Sequence, residues 1–338
     1  MNIIIPMAGM GKRMRPHTLT TPKPLVPIAG KPIVQRLVED IVSTCNAKVN
    51  EIAFIISPAF GKEAEEHLVQ VAASMGAVGK IVYQHEALGT AHAMLCASES
   101  LTGNVFIAFA DTLFKATFNI DTSKDAIVWT QKVEDPSAFG VVKLDADGRI
   151  EAFVEKPKDF VSDLAIIGVY YFKDGDNLKK ELQRLIDNDI KQKGEYLITD
   201  AMDHMLKNGM PFYTDQVDEW LDCGNKDATV FTNSRVLEHK QHTEQMLATN
   251  ATIENSSVIA PCFIGSGVVV KNSVIGPYVS LEAGACVENS HIFNSIIRED
   301  SIVKNAKLQN SLLGKNVTYV ENGQDVKDLS LGDFSTVL

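Results

Sequence analysis

The chain has 338 residues, 45% of them hydrophobic and 22% charged, with a net charge of −11. That composition suits an ordinary globular protein with room for a sizeable core and two domains. The acidic balance argues against nucleic acid or an anionic membrane as the main partner. No apolar stretch is long enough to span a bilayer, and the few apolar residues before the first glycine loop are too few for a signal peptide.

Cys45, Cys96, Cys223, Cys262 and Cys286 are odd in number, and no pair has metal-site or redox spacing. They read as reduced thiols packed as small apolar residues, and a cytoplasmic location is expected.

Ile3-Ile4-Ile5 reads as a buried strand. The loop Pro6-Met7-Ala8-Gly9-Met10-Gly11-Lys12-Arg13-Met14-Arg15-Pro16 follows, its glycines suited to a tight turn that presents N–H groups to an anion. A second cation, Lys23, is held between Pro22 and Pro24. Strand, glycine turn and cations together predict a phosphate site at the carboxyl end of a parallel strand. It is neither a Walker A loop nor a dinucleotide fingerprint, since Met14 stands where the latter needs its third glycine.

Helices are expected at Lys31–Cys45, Lys62–Met75 and Gly89–Glu99, alternating with strands at Glu51–Ser57, Lys80–Gln84 and Asn104–Ala110. The alternation implies a sheet with helices on both faces, whose ligands bind beyond the carboxyl ends of the strands. Then come strands at Ala126–Val133, Gly140–Leu144, Arg149–Glu155 and Ala165–Phe172, and helices near Asn177–Ile190, Thr199–Leu206 and Lys226–Met246. The fold class is therefore α/β, a Rossmann-like doubly wound mixed sheet.

From Asn250 the texture changes. Val269, Ile275, Leu281, Val287 and Phe293 recur every six residues. Ile253 and Ile259 share that interval, as do Ile296, Ile302 and Leu308, with phase slips between the runs. A period of six with Gly, Asn, Ser and Pro between marks a parallel β-helix. From about Glu321 the repeat fades into a cap or tail. The expected organisation is a catalytic domain over 1–225, a connecting helix over 226–249, and a β-helix with its tail over 250–338.

Ala8-Gly9-x-Gly11-x-Arg13-Met14 followed by Pro22-Lys23-Pro24-Leu25 resembles the signature of the sugar-1-phosphate nucleotidyltransferases. The resemblance runs through about residue 235, and the hexads are similar to left-handed β-helix domains that several members carry. It implies transfer of a nucleotidyl group from a nucleoside triphosphate to a sugar 1-phosphate, with release of pyrophosphate. The nucleophile is already anionic, so catalysis must come from alignment, neutralised charge and a metal.

What the resemblance implies for single residues follows. Ala8, Gly9 and Gly11 would cradle the nucleotide, Arg13 would fork onto the triphosphate, and Lys23 would stabilise the α-phosphate. Asp111, at the end of an apolar strand, and Asp222, in Trp220-Leu-Asp-Cys-Gly224, would be the ligands of Mg²⁺. Gln84, Gly89 and Thr90 lie in Gln-His-Glu-Ala-Leu-Gly-Thr-Ala-His-Ala, which is similar to an element of uridylyltransferases. Gln84 offers a donor and an acceptor to a pyrimidine edge. His92 falls inside the expected helix and is not taken as a ligand. Gly140, Glu155, Lys156 and Glu195 would hold the sugar phosphate.

The overall layout also resembles glucose-1-phosphate thymidylyltransferases, so UTP and dTTP both stay open. Partners are expected to be the two substrates and further copies of the chain, a homo-oligomer formed through the β-helix. Two alternatives stand beside this. In one the β-helix is an acyltransferase using His291; in the other the chain is a non-catalytic regulatory subunit.

Overall fold

A computed structural model describes residues 1–45, 47–116, 120–321 and 323–338. The chain divides into two compact units. One comprises Met1–Gly9 and Leu37–Trp220, the other Met10–Arg36 and Leu221–Leu338.

The first unit is built on a nine-stranded mixed sheet. Its strands are β1 (Asn2–Pro6), β2 (Glu51–Ile56), β3 (Val78–Tyr83), β4 (Val105–Ala108), β5 (Ala126–Lys132), β6 (Gly140–Leu144), β7 (Ile150–Glu155), β8 (Leu164–Phe172) and β9 (Phe212–Gln216). They run in the order β7-β6-β8-β4-β1-β2-β3, with β5 against β8 and β9 against β5. The segment β4-β1-β2-β3 is parallel, whereas β8 lies antiparallel to β4.

Apolar residues run unbroken from Ile3 to Pro6 in β1, from Ile52 to Ile56 in β2 and through β4 because both faces are covered, whereas the edge strand β3 carries Lys80 and is only partly buried. After the helices α1 (Ile33–Thr44) and α2 (Lys62–Ser74) come α3 (Thr90–Cys96), α4 (Gly175–Asp187) and α5 (Ile198–Lys207), and residues of these three share one cluster with Ile4, Ala53, Ile55 and Ile107. Ile3, Ile5, Ile52 and Phe54 alternate onto the opposite face and are equally buried. The Asp174 carboxylate accepts from Asn177 N at 3.0 Å and starts α4 two residues before the expected position. Strand β9 went unread in the sequence. Only Phe212 of its five residues is fully buried, so no apolar pattern announces it.

The second unit is a parallel β-helix joined by the segment Met10–Arg36 and the helix Lys226–Lys240. Its short strands stack into three parallel sheets of six, five and five strands, the arrangement expected of a left-handed β-helix. The inward ladders are Ile264-Leu281-Ile297-Leu313, Val270-Val287-Val303-Tyr319 and Ile275-Ile292-Leu308.

These ladders correct the frame of the six-residue reading. Consecutive inward positions, such as Val270, Ile275, Leu281, Val287, Ile292 and Ile297, lie five or six residues apart. Phe293 is 43% exposed and Ile302 36% exposed, so both point outward. The phase slips are the five-residue rungs. Asn255, Asn272, Asn289 and Asn305 take positive φ at the corners, where asparagine tolerates the left-handed region.

Buried serines close the backbone accounts between coils: Ser273 Oγ accepts from Ser290 N, and Ser290 Oγ from Ala306 N, each at 3.0 Å. The expected tail is not loose. Val326–Lys327, Ser330–Leu331 and Thr336–Val337 each extend one of the three sheets. The repeat fades there in sequence because the final rungs carry Lys, Ser and Thr as well as apolar residues.

Candidate active site

In the second unit, Gly11 has φ +57, and a side chain there would meet Lys23 Cβ at 3.0 Å and Thr18 Cγ2 at 3.1 Å. Glycine is thus needed for both conformation and space. Thr18 Oγ1 donates to Gly11 O at 2.8 Å and latches the turn. Lys12–Met14 forms one turn of 3-10 helix, with Met14 buried as its anchor and Arg13 exposed. Pro22 and Pro24 bracket a second 3-10 turn, Lys23–Leu25, and Lys23 is only 7% exposed. The structure therefore brings Gly11 and Lys23 together, with Arg13 two residues beyond the glycine.

Asp222 also belongs to the second unit, at the carboxyl end of the strand Glu219–Asp222. Thr232 Oγ1 donates to the Asp222 backbone carbonyl at 2.8 Å. A side chain at Gly224 would come within 2.6 Å of Asp222 Oδ2, so glycine there leaves the carboxylate uncrowded.

In the first unit, Ala8 and Gly9 follow β1, and a side chain at Gly9 would meet nothing within 4 Å. Strand β4 ends at Ala108, three residues before Asp111 and two short of the expected limit. Ala110 N donates to Pro6 O at 3.3 Å, which sets Asp111 beside the carboxyl end of β1.

Gln84, Gly89 and Thr90 meet around the start of α3. Gln84 is buried, and its amide nitrogen lies 3.1 Å from His92 Nδ1 and 3.3 Å from Gly89 O. An amide nitrogen donates, so both partners accept, and the Gln84 carbonyl oxygen is left as its acceptor. His92 therefore orients Gln84, a role the sequence reading did not give it. Gly89 has φ +112 and approaches the backbone of Tyr196, whose carbonyl a side chain would meet at 2.4 Å. Tyr196 N donates to Leu88 O and Ala91 N to Tyr196 O, each at 2.9 Å. These bonds bring exposed Glu195 to the Gln84–Thr90 turn.

Gly140 and Glu155 face each other across the antiparallel β6–β7 pair. A side chain at Gly140 would sit 3.0 Å from Glu155 Oε2 and 3.7 Å from Thr199 Cγ2. Lys156 has φ +44, donates its N–H to Phe139 O at 3.0 Å, and lies 3.7 Å through Nζ from Glu155 Oε1. Burial, with the Glu155 carboxylate second, pushes the Tyr170 phenol above its usual range.

Sequence reasoning also missed Thr199, Thr232 and Asn233, all buried. The last two lie on the helix Lys226–Lys240, whose buried face mixes Thr229, Thr232 and Asn233 with Val230, Val236 and Leu237, so no clean apolar stripe marks it.

Among the described residues no group of three or more His, Cys, Asp or Glu could enclose a metal ion. Asp111 in the first unit and Asp222 in the second, the two expected cation ligands, each offer the carboxylate oxygens that a hard divalent cation takes.

The chain is 29% identical to a glucose-1-phosphate thymidylyltransferase of Streptomyces antibioticus, over all of this chain and 99% of the relative. It is 31% identical to a low-salt glycan biosynthesis nucleotidyltransferase of Haloferax volcanii, over 91% of this chain and 90% of the relative. A "bifunctional protein GlmU" of Methanococcus maripaludis is 27% identical over 77% of this chain, which spans 62% of that protein. A crystal structure of UDP-glucose pyrophosphorylase complexed with UDP-glucose shares the fold, with a TM-score of 0.58 and 22% identity over 70% of this chain and 98% of that one. Residues 2–239 match the family described as nucleotidyl transferase, and the chain belongs to that family.

Proposed function

We propose that the protein transfers a nucleotidyl group from UTP or dTTP to a sugar 1-phosphate, giving the nucleoside diphosphate sugar and pyrophosphate. The observation that carries this is the paired turn at Gly11 and Lys23, a glycine-requiring backbone bend packed against a buried lysine. Arg13 would hold the β- and γ-phosphates as a fork, and Lys23 would stabilise charge developing at the α-phosphorus. Asp111 and Asp222 would hold a divalent cation, Mg²⁺ in this reading. When bound, the cation would neutralise phosphate charge and fix the in-line geometry.

The Gln84 carbonyl oxygen is suited to the imide N–H of uracil or thymine. The two bases differ by one methyl group, which a pocket separates weakly. Glu155, Glu195 and Lys156 would take the sugar hydroxyls and the phosphate, with Gly140 leaving the sugar room against the backbone. The thymidylyltransferase and pyrophosphorylase names of similar proteins fit glucose 1-phosphate as the first acceptor to try.

We assign the catalytic domain to 1–225, the connector to 226–249 and the β-helix to 250–338, and expect copies of the chain to associate through the β-helix. A cytoplasmic location fits the five cysteines, none of which forms a disulfide among the described residues.

The test is pyrophosphate release with Mg²⁺ across a grid of nucleoside triphosphates and sugar 1-phosphates. Release confined to UTP or dTTP with one sugar names the substrates. Silence across the grid from folded protein points to the regulatory-subunit reading.

A second reading, acyl transfer by the β-helix, is favoured by the GlmU similarity and by His291, exposed on an outer strand. Acetyl transfer from acetyl-coenzyme A that disappears in His291→Ala would support it.

A further inference from the structure

The segment Met10–Arg36 carries Arg13 and Lys23, and it is fastened to the β-helix at both ends. At the near end, Asp333 Oδ2 accepts from Thr20 Oγ1 at 2.6 Å and from Thr21 Oγ1 at 3.3 Å. The other oxygen, Asp333 Oδ1, accepts from Lys315 N at 2.8 Å and from Arg298 Nη1 at 3.3 Å. Arg298 is fully buried, and its Nη2 donates to Thr21 Oγ1 at 3.3 Å. His17 Nε2 pairs with Ser330 Oγ at 2.9 Å.

At the far end, Glu282 Oε1 accepts from Gly30 N at 3.2 Å. Asn233 Oδ1 accepts from Ala29 N at 2.9 Å and from Ser280 Oγ at 2.7 Å. A side chain at Gly30 would fall 2.3 Å from the Phe263 ring, so contact there is close. The interior of the β-helix is filled by its own apolar ladders, and these polar groups stand outside that core.

We infer that Asp333, between the strands Ser330–Leu331 and Thr336–Val337, is a positioning residue for the phosphate-binding cations, and that the β-helix aligns the site as well as offering a surface for assembly. The inference rests on the nucleotidyltransferase reading. Its logic is short. Thr21 is separated from Lys23 only by Pro22, whose ring restricts the backbone, so the threonine's position is passed to the lysine. Lys23 packs on Gly11 and so sets the turn that carries Arg13. A carboxylate accepting from two hydroxyls, a guanidinium and a backbone N–H is charge-assisted and over-determined, which suits it to hold a loop in one place. Nothing in the sequence motif extends to Asp333, which lies 310 residues beyond Lys23 (333 minus 23).

The test uses the full chain. Hydrogen exchange is followed by mass spectrometry across residues 10–36, and pyrophosphate release is titrated with the triphosphate, for the wild type and Asp333→Ala. Exchange over 18–26 is expected to quicken about tenfold, with KM for the triphosphate up about tenfold and kcat within about threefold. Exchange in β1 and β2 stays as it was. Thr21→Val removes the contact from the loop side, leaves the Lys315 N–H bond in place, and is expected to raise KM in the same direction. Asp333→Asn keeps one acceptor oxygen and recovers part of both effects.

Faster exchange with an unchanged KM in both Asp333→Ala and Thr21→Val overturns the positioning role, and unchanged exchange overturns the tether itself. A wild type silent with every triphosphate instead sinks the transferase reading, and the positioning role falls with it.

Discussion

The mixed sheet and the β-helix solve the same problem, burying a chain's apolar residues, in ways that leave different marks in sequence. The sheet buries whole strands. Ile3, Ile4 and Ile5 are all at 0% exposure because helices or strands lie on either side. The β-helix buries short alternating sets, such as Val279 with Leu281 or Ala285 with Val287, and satisfies its corners with serine hydroxyls and left-handed asparagines. Strand boundaries in the first are therefore readable to within two or three residues, whereas in the second the fold class is readable and the register is not. A residue one position away from the inward series, such as Phe293 or Ile302, looks equally apolar and faces out.

The largest effects are expected where chemistry is concerned, at Asp111 of the sheet unit and Asp222 of the β-helix unit, the carboxylates proposed as cation ligands. Asp111→Asn and Asp222→Asn are each expected to lower kcat by about a thousandfold or more with the melting temperature little changed. Pyrophosphate release beside a thermal melt checks this, and wild-type turnover in either variant removes the assignment.

Next in size is Gly89→Ala in the sheet unit. The new Cβ would sit 2.4 Å from Tyr196 O and 2.7 Å from Tyr196 N, at φ +112. Backbone cannot swing aside as a side chain can, so a loss of about 2–4 kcal/mol is expected, with weakened triphosphate binding. Urea melts and a KM determination measure both.

Leu281→Ala sharpens the contrast from the other side. It empties the middle of an inward ladder and is expected to cost about 2–5 kcal/mol. Both tryptophans, Trp129 and Trp220, belong to the sheet unit. Circular dichroism should therefore register an earlier transition in this variant than tryptophan fluorescence does. Coincident transitions would show that the two units unfold as one.

The smallest effect is the dependence on pH, and it belongs to the β-helix unit. Burial, with Glu299 second, pushes the Glu282 carboxyl up to about 7, against the opposing pull of Gly30 N, Arg298 and Arg36. A carboxyl raised on folding is held protonated longer than in the unfolded chain. Its cost is absent below about 4.5 and grows as pH rises through 7, to at most about 3 kcal/mol. Burial, then Arg298, lowers His17 to about 4, so its neutral form is favoured and stability is lost as pH falls from 6.5 through 4. Between about pH 4.5 and 6.5 the two act in the same window with opposite sign, so Glu282→Gln is expected to remove the loss of stability that accrues from 4.5 to 7 and leave the His17 slope unopposed. Denaturant midpoints at pH 4.5, 5.5 and 7 decide it, and an unchanged slope over that window would count against the buried-carboxyl account.

Several features were legible from the residues alone: the alternation of strands and helices, the glycine turn beside Lys23 and the β-helix. Each is a short-range pattern, written within one strand, one turn or one rung, and local sterics and burial enforce it. What escaped was set by distant pairing. His92 was dismissed because it sits in a helix, yet the fold turns its Nδ1 onto Gln84. Strand β9 exists because β5 offers it an edge, and its own residues are half polar. The rung register depends on corners of variable length. The contacts of Asp333 with Thr20 and Thr21 join residues more than three hundred positions apart. No local period records such a contact, because the partner is chosen by how coils stack and loops return, and only the folded chain fixes that.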